Sequence, residues 1–365
     1  MRIVHLADTH LGFRAYRKTT EDGQNLRERQ VSSVFARAVD KIRGLDVDVV
    51  VIAGDVFDLP NVSNTVMEHA ISHFGGLVDH CPVVIAGGNH DAPSRASDGN
   101  PLQVLREAHP GIRVVTDEPR VVSVVTGHGE IDVLVVPDHM DIPDDVSADI
   151  LVTHAAVSGA GVDYADRIGA ASIGQINPDR FAYVALGDYH NYTELAPNAF
   201  YPGSLAHVPN GPWDQVDTPR GFIVYDTETK NVEFCEVCDV AVHDIGPLPA
   251  VDYDVINACM EDTLLSDAHY GAIVRLKVTD STPSLSSMID RSLERKCKEH
   301  CLHFHLHEVP AEVSGGPAGV AQGGQSVNIE AAIEQWIDEN FDDPGVDEDE
   351  VVAESIRLVK EAQRD

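Results

Sequence analysis

The chain has 365 residues, enough for one large domain with smaller modules attached. It carries 26 basic against 60 acidic residues, a formal net charge of -34. A surface so acidic either reflects adaptation to a high-salt interior or repels polyanions such as nucleic acid unless metal ions or a basic partner intervene. No apolar run approaches the ~20 residues of a membrane span. The opening residues Met1 to Asp8 lack the apolar centre of a secretion signal, and Cys81, Cys235, Cys238, Cys259, Cys297 and Cys301 are too scattered for a disulfide framework. A cytoplasmic protein with no membrane contact is expected.

In chain order, residues 3–7, 47–53, 82–87, 121–125, 131–136, 150–153 and 182–186 are short runs rich in Val, Ile and Leu, and predict buried strands. Between the first two, Val31, Val34, Phe35, Ala38 and Ile42 recur at helical spacing. Residues 64–78 predict a second helix, with Ser63 or Asn64 as its N-cap. The pattern is an α/β sandwich. From about Asp244 the character changes. After a Pro-rich stretch at 245–249, a helix at 255–265, a strand at 272–278, a helix at 288–298 and a strand at 302–309 predict a small α+β cap. Residues 314–327 hold five glycines and no charge, as a flexible linker does. Two apolar stripes follow, the first through Ile329, Ile333, Trp336, Ile337 and Phe341, the second through Val352, Ile356 and Val359, separated by Pro344-Gly345. Two short helices cannot bury both stripes by themselves, so docking to another protein is expected, the alternative being that they fold back on the catalytic core.

The chemistry sits where the strands end. Asp8-Thr9-His10, Gly54-Asp55, Gly88-Asn89-His90-Asp91, His154 and Gly187-Asp188-Tyr189-His190 each follow or close a predicted strand. Any one of them alone is a plausible surface turn. Together they offer carboxylate, amide and imidazole ligands without thiolate, a set suited to two closely spaced divalent ions. The Cys297 to His307 stretch and Cys235-Glu236-Val237-Cys238 invite a structural-zinc reading, but His303, His305 and His307 alternate with Phe304 and Leu306 as on a half-exposed strand, which is the preferred reading.

In order and spacing over about residues 1–225, these motifs resemble those of the calcineurin-like metallophosphoesterases. The layout resembles the nuclease subunits of SbcCD and Mre-type DNA break-repair complexes, through Ala7-Asp8-Thr9-His10-Leu11-Gly12, Tyr183-Val184-Ala185-Leu186-Gly187 and Tyr201-Pro202-Gly203-Ser204. The resemblance implies a four-layer α/β/β/α nuclease domain at 1–240, a cap and DNA-binding domain at 244–313, the linker at 314–327, and a helix-loop-helix at 328–365 that grips an SMC-like coiled-coil ATPase. It further implies a homodimer and two metal ions, Mn2+ by preference. Asp8, His10 and His190 would hold one ion, Asn89, His154 and Asp188 the other, and Asp55 would bridge both. His90 would serve the transition state or the leaving oxygen, and Asp91 would orient its ring. Two positions depart from the family: Asp188 stands where His is usual, and Asp58 stands where the nuclease branch has a His linked to its exonuclease step. The expected function is Mn2+-dependent cleavage of DNA in break repair. Two rivals are a phosphodiesterase or phosphatase acting on small nucleotides and a weakly active scaffold for the ATPase.

Overall fold

The computed structural model describes residues 1–95, 98–158, 171–208, 211–216, 218–237 and 239–311. The expected linker and paired helices at 314–365, and Cys238, lie outside these residues. In chain order the elements are β1 (Arg2–Leu6), α1 (Leu26–Arg43), β2 (Val49–Ala53), α2 (Asn64–Val78), β3 (Val83–Ala86), α3 (Pro101–Ala108), β4 (Ile112–Val115), β5 (Arg120–Thr126), β6 (Gly129–Val136), β7 (Ile150–His154), β8 (Val157–Ser158), β9 (Ala171–Ser172), α4 (Ile173–Ile176) and β10 (Tyr183–Gly187). They continue with β11 (Thr193–Ala196), β12 (Ala199–Tyr201), β13 (Gly221–Asp226), β14 (Val232–Glu236), β15 (Val242–Pro249), α5 (Tyr253–Leu265), β16 (Ile273–Ser281), α6 (Pro283–Ser286), α7 (Arg291–His300) and β17 (His303–Pro310).

Two six-stranded sheets carry the fold, in the orders β14-β13-β1-β2-β3-β4 and β11-β12-β10-β7-β6-β5. Strands β1 to β4 are parallel to one another, and β6, β7, β10 and β12 likewise. Their continuous apolar runs follow from burial on both faces. On β1 to β3, Val4, Leu6, Val50, Ile52, Val83 and Ile85 pack against the apolar stripes of α1, α2 and α3. The alternate residues Ile3, Val49, Val51 and Val84 meet Val133, Val135, Ile150, Val152, Tyr183 and Ala185 of the second sheet. The sheets therefore stack face to face, as a sandwich requires. The outer face of the second sheet, through Leu134, Val136, Leu151, Val184 and Leu186, is closed by Ile176 and Phe181. Among the described residues, that fourth layer is a single-turn helix and a turn.

Helix starts are set by side-chain caps: the Asn25 side chain accepts from the Glu28 N–H, and Ser63, one of the two caps expected for α2, accepts from the Val66 N–H. Strands β4 and β11 to β14 and helix α3 carry no expectation from the sequence. They are short, three to eight residues, and give little periodic signal. The Pro-rich stretch at 245–249 is part of strand β15. Pro247 and Pro249 are tolerated there because β15 is an edge strand with a register shift between Ile245 and Leu248.

Strands β15, β16 and β17 form a parallel sheet with α5 and α7 on one face, closed by Ile256, Met260, Val274, Leu276, Cys297, Cys301 and Phe304. His303, His305 and His307 lie on β17 as a half-exposed strand, while Cys297 and Cys301 are buried. The sheet joins the rest of Met1–Pro310 through Tyr16 stacked on His303 at 4.3 Å and Arg275 over the Trp213 ring at 4.8 Å. Among the described residues, no helix is long and apolar enough to cross a membrane.

One buried ion pair pins α1 to the segment that enters β15. Arg27, fully buried, donates to both Asp239 oxygens at 2.8 Å and to the His207 carbonyl at 2.8 Å. Burial opposes charge on Asp239, but hydrogen bonds from Arg27 and His207 outweigh it and hold the carboxyl well below the usual carboxylate range. Removing one partner of such a pair strands a buried charge. Arg27→Met is expected to cost about 3–5 kcal/mol in urea unfolding at neutral pH, and adding Asp239→Leu should recover much of it. A loss below about 1 kcal/mol for the single variant would show that the pair is not what holds this junction.

Candidate metal centre

The parallel strands β1, β2, β3, β7 and β10 bring five loops together at their C-terminal ends, where ligand sites of α/β sheets form. Asp8 and His10 follow β1, Asp55 follows β2, Asn89 and His90 follow β3, His154 is the last residue of β7, and Asp188 and His190 follow β10. The loops are tied by backbone bonds: Asp8 N–H to the Gly54 carbonyl at 3.1 Å, His10 N–H to Asp55 at 3.0 Å, and Leu11 N–H to Val56 at 2.8 Å. Asp8, His10, Asp55 and Asp188 all have positive φ, at 50°, 42°, 51° and 95°. For an L-residue that conformation costs about 1–2 kcal/mol, so strain is concentrated at the residues that meet in the centre. Glycines permit the approach. A Cβ on Gly54 would lie 2.4 Å from His154 Nδ1, and one on Gly187 would lie 1.8 Å from the Ala53 carbonyl.

The structure brings all seven residues expected as metal ligands into one place. Three overlapping groups, Asp8 with His10 and His190, His10 with Asp55 and His90, and Asp8 with Asp55 and His154, each offer ligand atoms within 4.8 Å of one another. His10 Nε2 lies 3.3 Å from His190 Nε2 and 3.7 Å from Asp55 Oδ2. His154 Nε2 lies 2.9 Å from Asn89 Oδ1, 3.5 Å from Asp55 Oδ2 and 3.9 Å from Asp188 Oδ1. Asp55 thus stands between a His10–His190 side and a His154–Asn89–Asp188 side. The His154 ring is set by its Nδ1, which donates to the Ala53 carbonyl at 2.8 Å. Such a bond leaves Nε2 free as the ligating nitrogen.

His90 and Asp91 are placed differently from expectation. The His90 ring hydrogen-bonds through Nδ1 to the Asp58 carbonyl at 2.7 Å, so Asp91 does not orient it. Instead the buried Asp91 carboxyl accepts from the backbone N–H groups of Phe57 at 2.9 Å, Gly88 at 3.1 Å and Val56 at 3.3 Å, and so clamps the loop after β2 to the loop after β3. The reason is direction: Asp91 points inward, away from the half-exposed ring of its neighbour. Burial, and after it the charge of Asp55, pushes the Asp91 pKa up to about 7 against these three bonds. Arg220 is a further residue that sequence reasoning missed. Buried beside the centre, it donates to the His190 carbonyl, to Ser204 Oγ at 3.1 Å and to Asn191 Oδ1 at 2.9 Å, which fixes the last ligand loop. Nothing in its sequence context marks it beyond being one of few basic residues.

The donor chemistry fits divalent cations. Asp8, Asp55 and Asp188 converge with imidazole and amide donors, and thiolate is absent from the groups just described. With protons as the only counter-charges, burial opposes charge on His154, but Asp55, Asp8 and Asp188 outweigh it and push its pKa up to about 9. Burial, with repulsion from Asp55 and Asp188 acting against the attraction of His154, holds the Asp8 carboxyl well above its usual range. Burial, and then His10 and Arg220, depress His190 well below the usual imidazole value. A ligating His154 must be neutral, so with its pKa raised to about 9, metal binding at neutral pH displaces a proton from it. Manganese titration at pH 7 in buffers of differing ionisation enthalpy is expected to show net proton release and an affinity that weakens as pH falls. Binding without proton release would contradict this electrostatic account.

Residues 1–192 match the family model described as calcineurin-like phosphoesterase. Among curated proteins, the chain is 34% identical over 108 residues to the DNA double-strand break repair protein Mre11 of Sulfolobus acidocaldarius, covering 29% of this chain and 27% of that protein. It is 35% identical over 104 residues to a subunit of the nuclease SbcCD from Bacillus subtilis, covering 28% and 25%. The matched stretch therefore spans about a quarter of the length of either relative. Among solved structures, a purple acid phosphatase from yellow lupin (Lupinus luteus) seeds is similar at 14% identity with a TM-score of 0.38, covering 64% of this chain and 52% of that one. The family model takes in more than half of the 365 residues, including every residue of the centre from Asp8 to His190, and the chain belongs to the calcineurin-like phosphoesterase family.

Proposed function

We propose that this protein is a two-metal, Mn2+-dependent phosphodiester nuclease that cleaves DNA in double-strand-break repair. The observation that carries the reading is the convergence of five strand-end loops around Asp55, with imidazole and carboxylate donors on both of its sides and the Asn89 amide on one. Asp8, His10 and His190 would hold one ion, Asn89, His154 and Asp188 the other, with Asp55 shared between them. Bound there, the ions would supply Lewis acidity at the phosphoryl oxygens and lower the pKa of an attacking water. The protein orients what they act on. The His154 ring is fixed from behind by the Ala53 carbonyl, and the His190 loop is held by Arg220. His90, whose Nδ1 donates to the Asp58 carbonyl, keeps Nε2 for the departing oxygen, which it would protonate as the imidazolium, ending as the neutral ring.

Asp188 adds a negative oxygen donor where the resemblance leads one to expect a neutral imidazole. This tightens metal binding and lowers the Lewis acidity left for the phosphate, so turnover is slower than with His. The DNA substrate is supported by the Mre11 and SbcCD relatives. In this reading residues 1–240 form the nuclease domain, 244–313 the cap and DNA-binding domain, and 328–365 the tail that docks an SMC-like ATPase. The protein works in the cytoplasm as a homodimer. The printed name of the Bacillus subtilis relative, as one subunit of SbcCD, supports an assembly with a partner.

Labelled duplex DNA and bis-p-nitrophenyl phosphate, each with Mn2+, test the substrate. Cleavage of both is expected. Hydrolysis of the small diester alone would favour a phosphodiesterase of small nucleotides, and hydrolysis of neither would favour a scaffold. For the site, His90→Asn is expected to lower turnover by about 100-fold or more while two Mn2+ ions remain bound. Asp55→Ala should instead lose metal. His90 offers a ligand atom within reach of His10 and Asp55, so loss of an ion in His90→Asn would reassign it as a ligand.

A further inference from the structure

The second motif continues past Asp55 to Asp58, whose side chain is largely buried, 20% exposed. Its backbone is locked to the loop that carries His10: the Asp58 N–H donates to the Leu11 carbonyl at 3.1 Å, and Leu11 and Phe57 form a β-bridge. From that position one Asp58 oxygen, Oδ1, lies 3.3 Å from His10 Nδ1. The nitrogen is buried and makes no aligned hydrogen bond with any described residue. The other ring nitrogen, Nε2, is the one that faces His190 Nε2 at 3.3 Å and Asp55 Oδ2 at 3.7 Å. A neutral imidazole that presents Nε2 as a ligand carries its proton on Nδ1, and a buried N–H of that kind needs an acceptor.

We propose that Asp58 is a positioning residue of the metal centre, its carboxylate accepting from His10 Nδ1 and so fixing the tautomer and angle at which Nε2 meets the ion. The inference rests on the metal reading above and goes beyond it, since Asp58 is not among the ligands assigned there. Carboxylates behind metal-bound imidazoles do this work generally, and losing one weakens metal affinity about 10–100-fold. In this chain the same residue serves two histidines by different groups. Its carboxylate sets His10, and its carbonyl holds His90 Nδ1 at 2.7 Å. A side-chain substitution therefore removes the first contact and leaves the second.

The test is calorimetric Mn2+ titration of the full chain with Asp58→Ala and Asp58→Asn. Both variants remove the same charge, but only Asn keeps an oxygen that can accept from Nδ1–H. Asp58→Ala is expected to weaken one of two Mn2+ sites about tenfold or more, and Asp58→Asn clearly less. Unchanged affinity in Asp58→Ala overturns the proposal. Equal losses in the two variants also overturn it, because the effect is then bulk charge and not an acceptor on Nδ1. A wild-type chain that binds fewer than two Mn2+ refutes the metal reading instead. Should Asp58→Ala fail to fold, 15N chemical shifts of the His10 ring in the metal-free wild type decide. A proton on Nδ1 supports the assignment, and a proton on Nε2 overturns it.

Discussion

The centre is organised around the Asp55 carboxylate, which faces His10 on one side and His154 on the other from a strained backbone at the end of β2. Asp8 and Asp188 add two more carboxylates close by, and the Asp188 N–H donates to Asp8 at 3.1 Å. So many negative charges cannot stay together in a buried site without compensation. Protons can supply it, since the surrounding carboxylates raise the His154 pKa and burial raises that of Asp8, and divalent ions can supply it with far more charge per site. The rest of the architecture keeps these groups from moving apart.

That restraint is built from backbone contacts as much as from side chains. The loops after β1 and β2 run together through four backbone bonds, and Asp91 staples the loops after β2 and β3 by accepting three N–H groups. The stacked sheets fix the distance between β2 and β7, which sets where Asp55 and His154 can meet. Positive φ values at four site residues are the cost of aiming carboxylates and imidazoles inward from strand ends. Glycines at 54 and 187 remove the Cβ atoms that would otherwise block that approach.

The sequence was legible wherever function and periodicity coincide. Strands buried on both faces leave apolar runs, and each ligand motif sits directly behind one, so the α/β sandwich and the positions of Asp8, Asp55, His154 and His190 could be read together. What stayed hidden depends on contacts between segments far apart in the chain. Asp91 next to His90 suggested a partner for its neighbour's ring, yet its bonds run to residues 34 and 35 positions away as well as to Gly88. Arg220 reaches the His190 loop across about thirty residues, and Asp58, which read as a missing histidine, turns out to face two histidines. Short strands such as β12, and the Pro-bearing β15, were missed because too few residues, or proline itself, obscured the strand period.

The central claim is that Asp55 is shared between two ions. Anomalous X-ray diffraction from crystals grown with Mn2+ tests it most directly. Two manganese peaks are expected about 3.5–4 Å apart on either side of the Asp55 carboxylate. One would lie near Asp8, His10 and His190, and the other near Asn89, His154 and Asp188. A single peak, or two peaks that do not share Asp55, would contradict the claim.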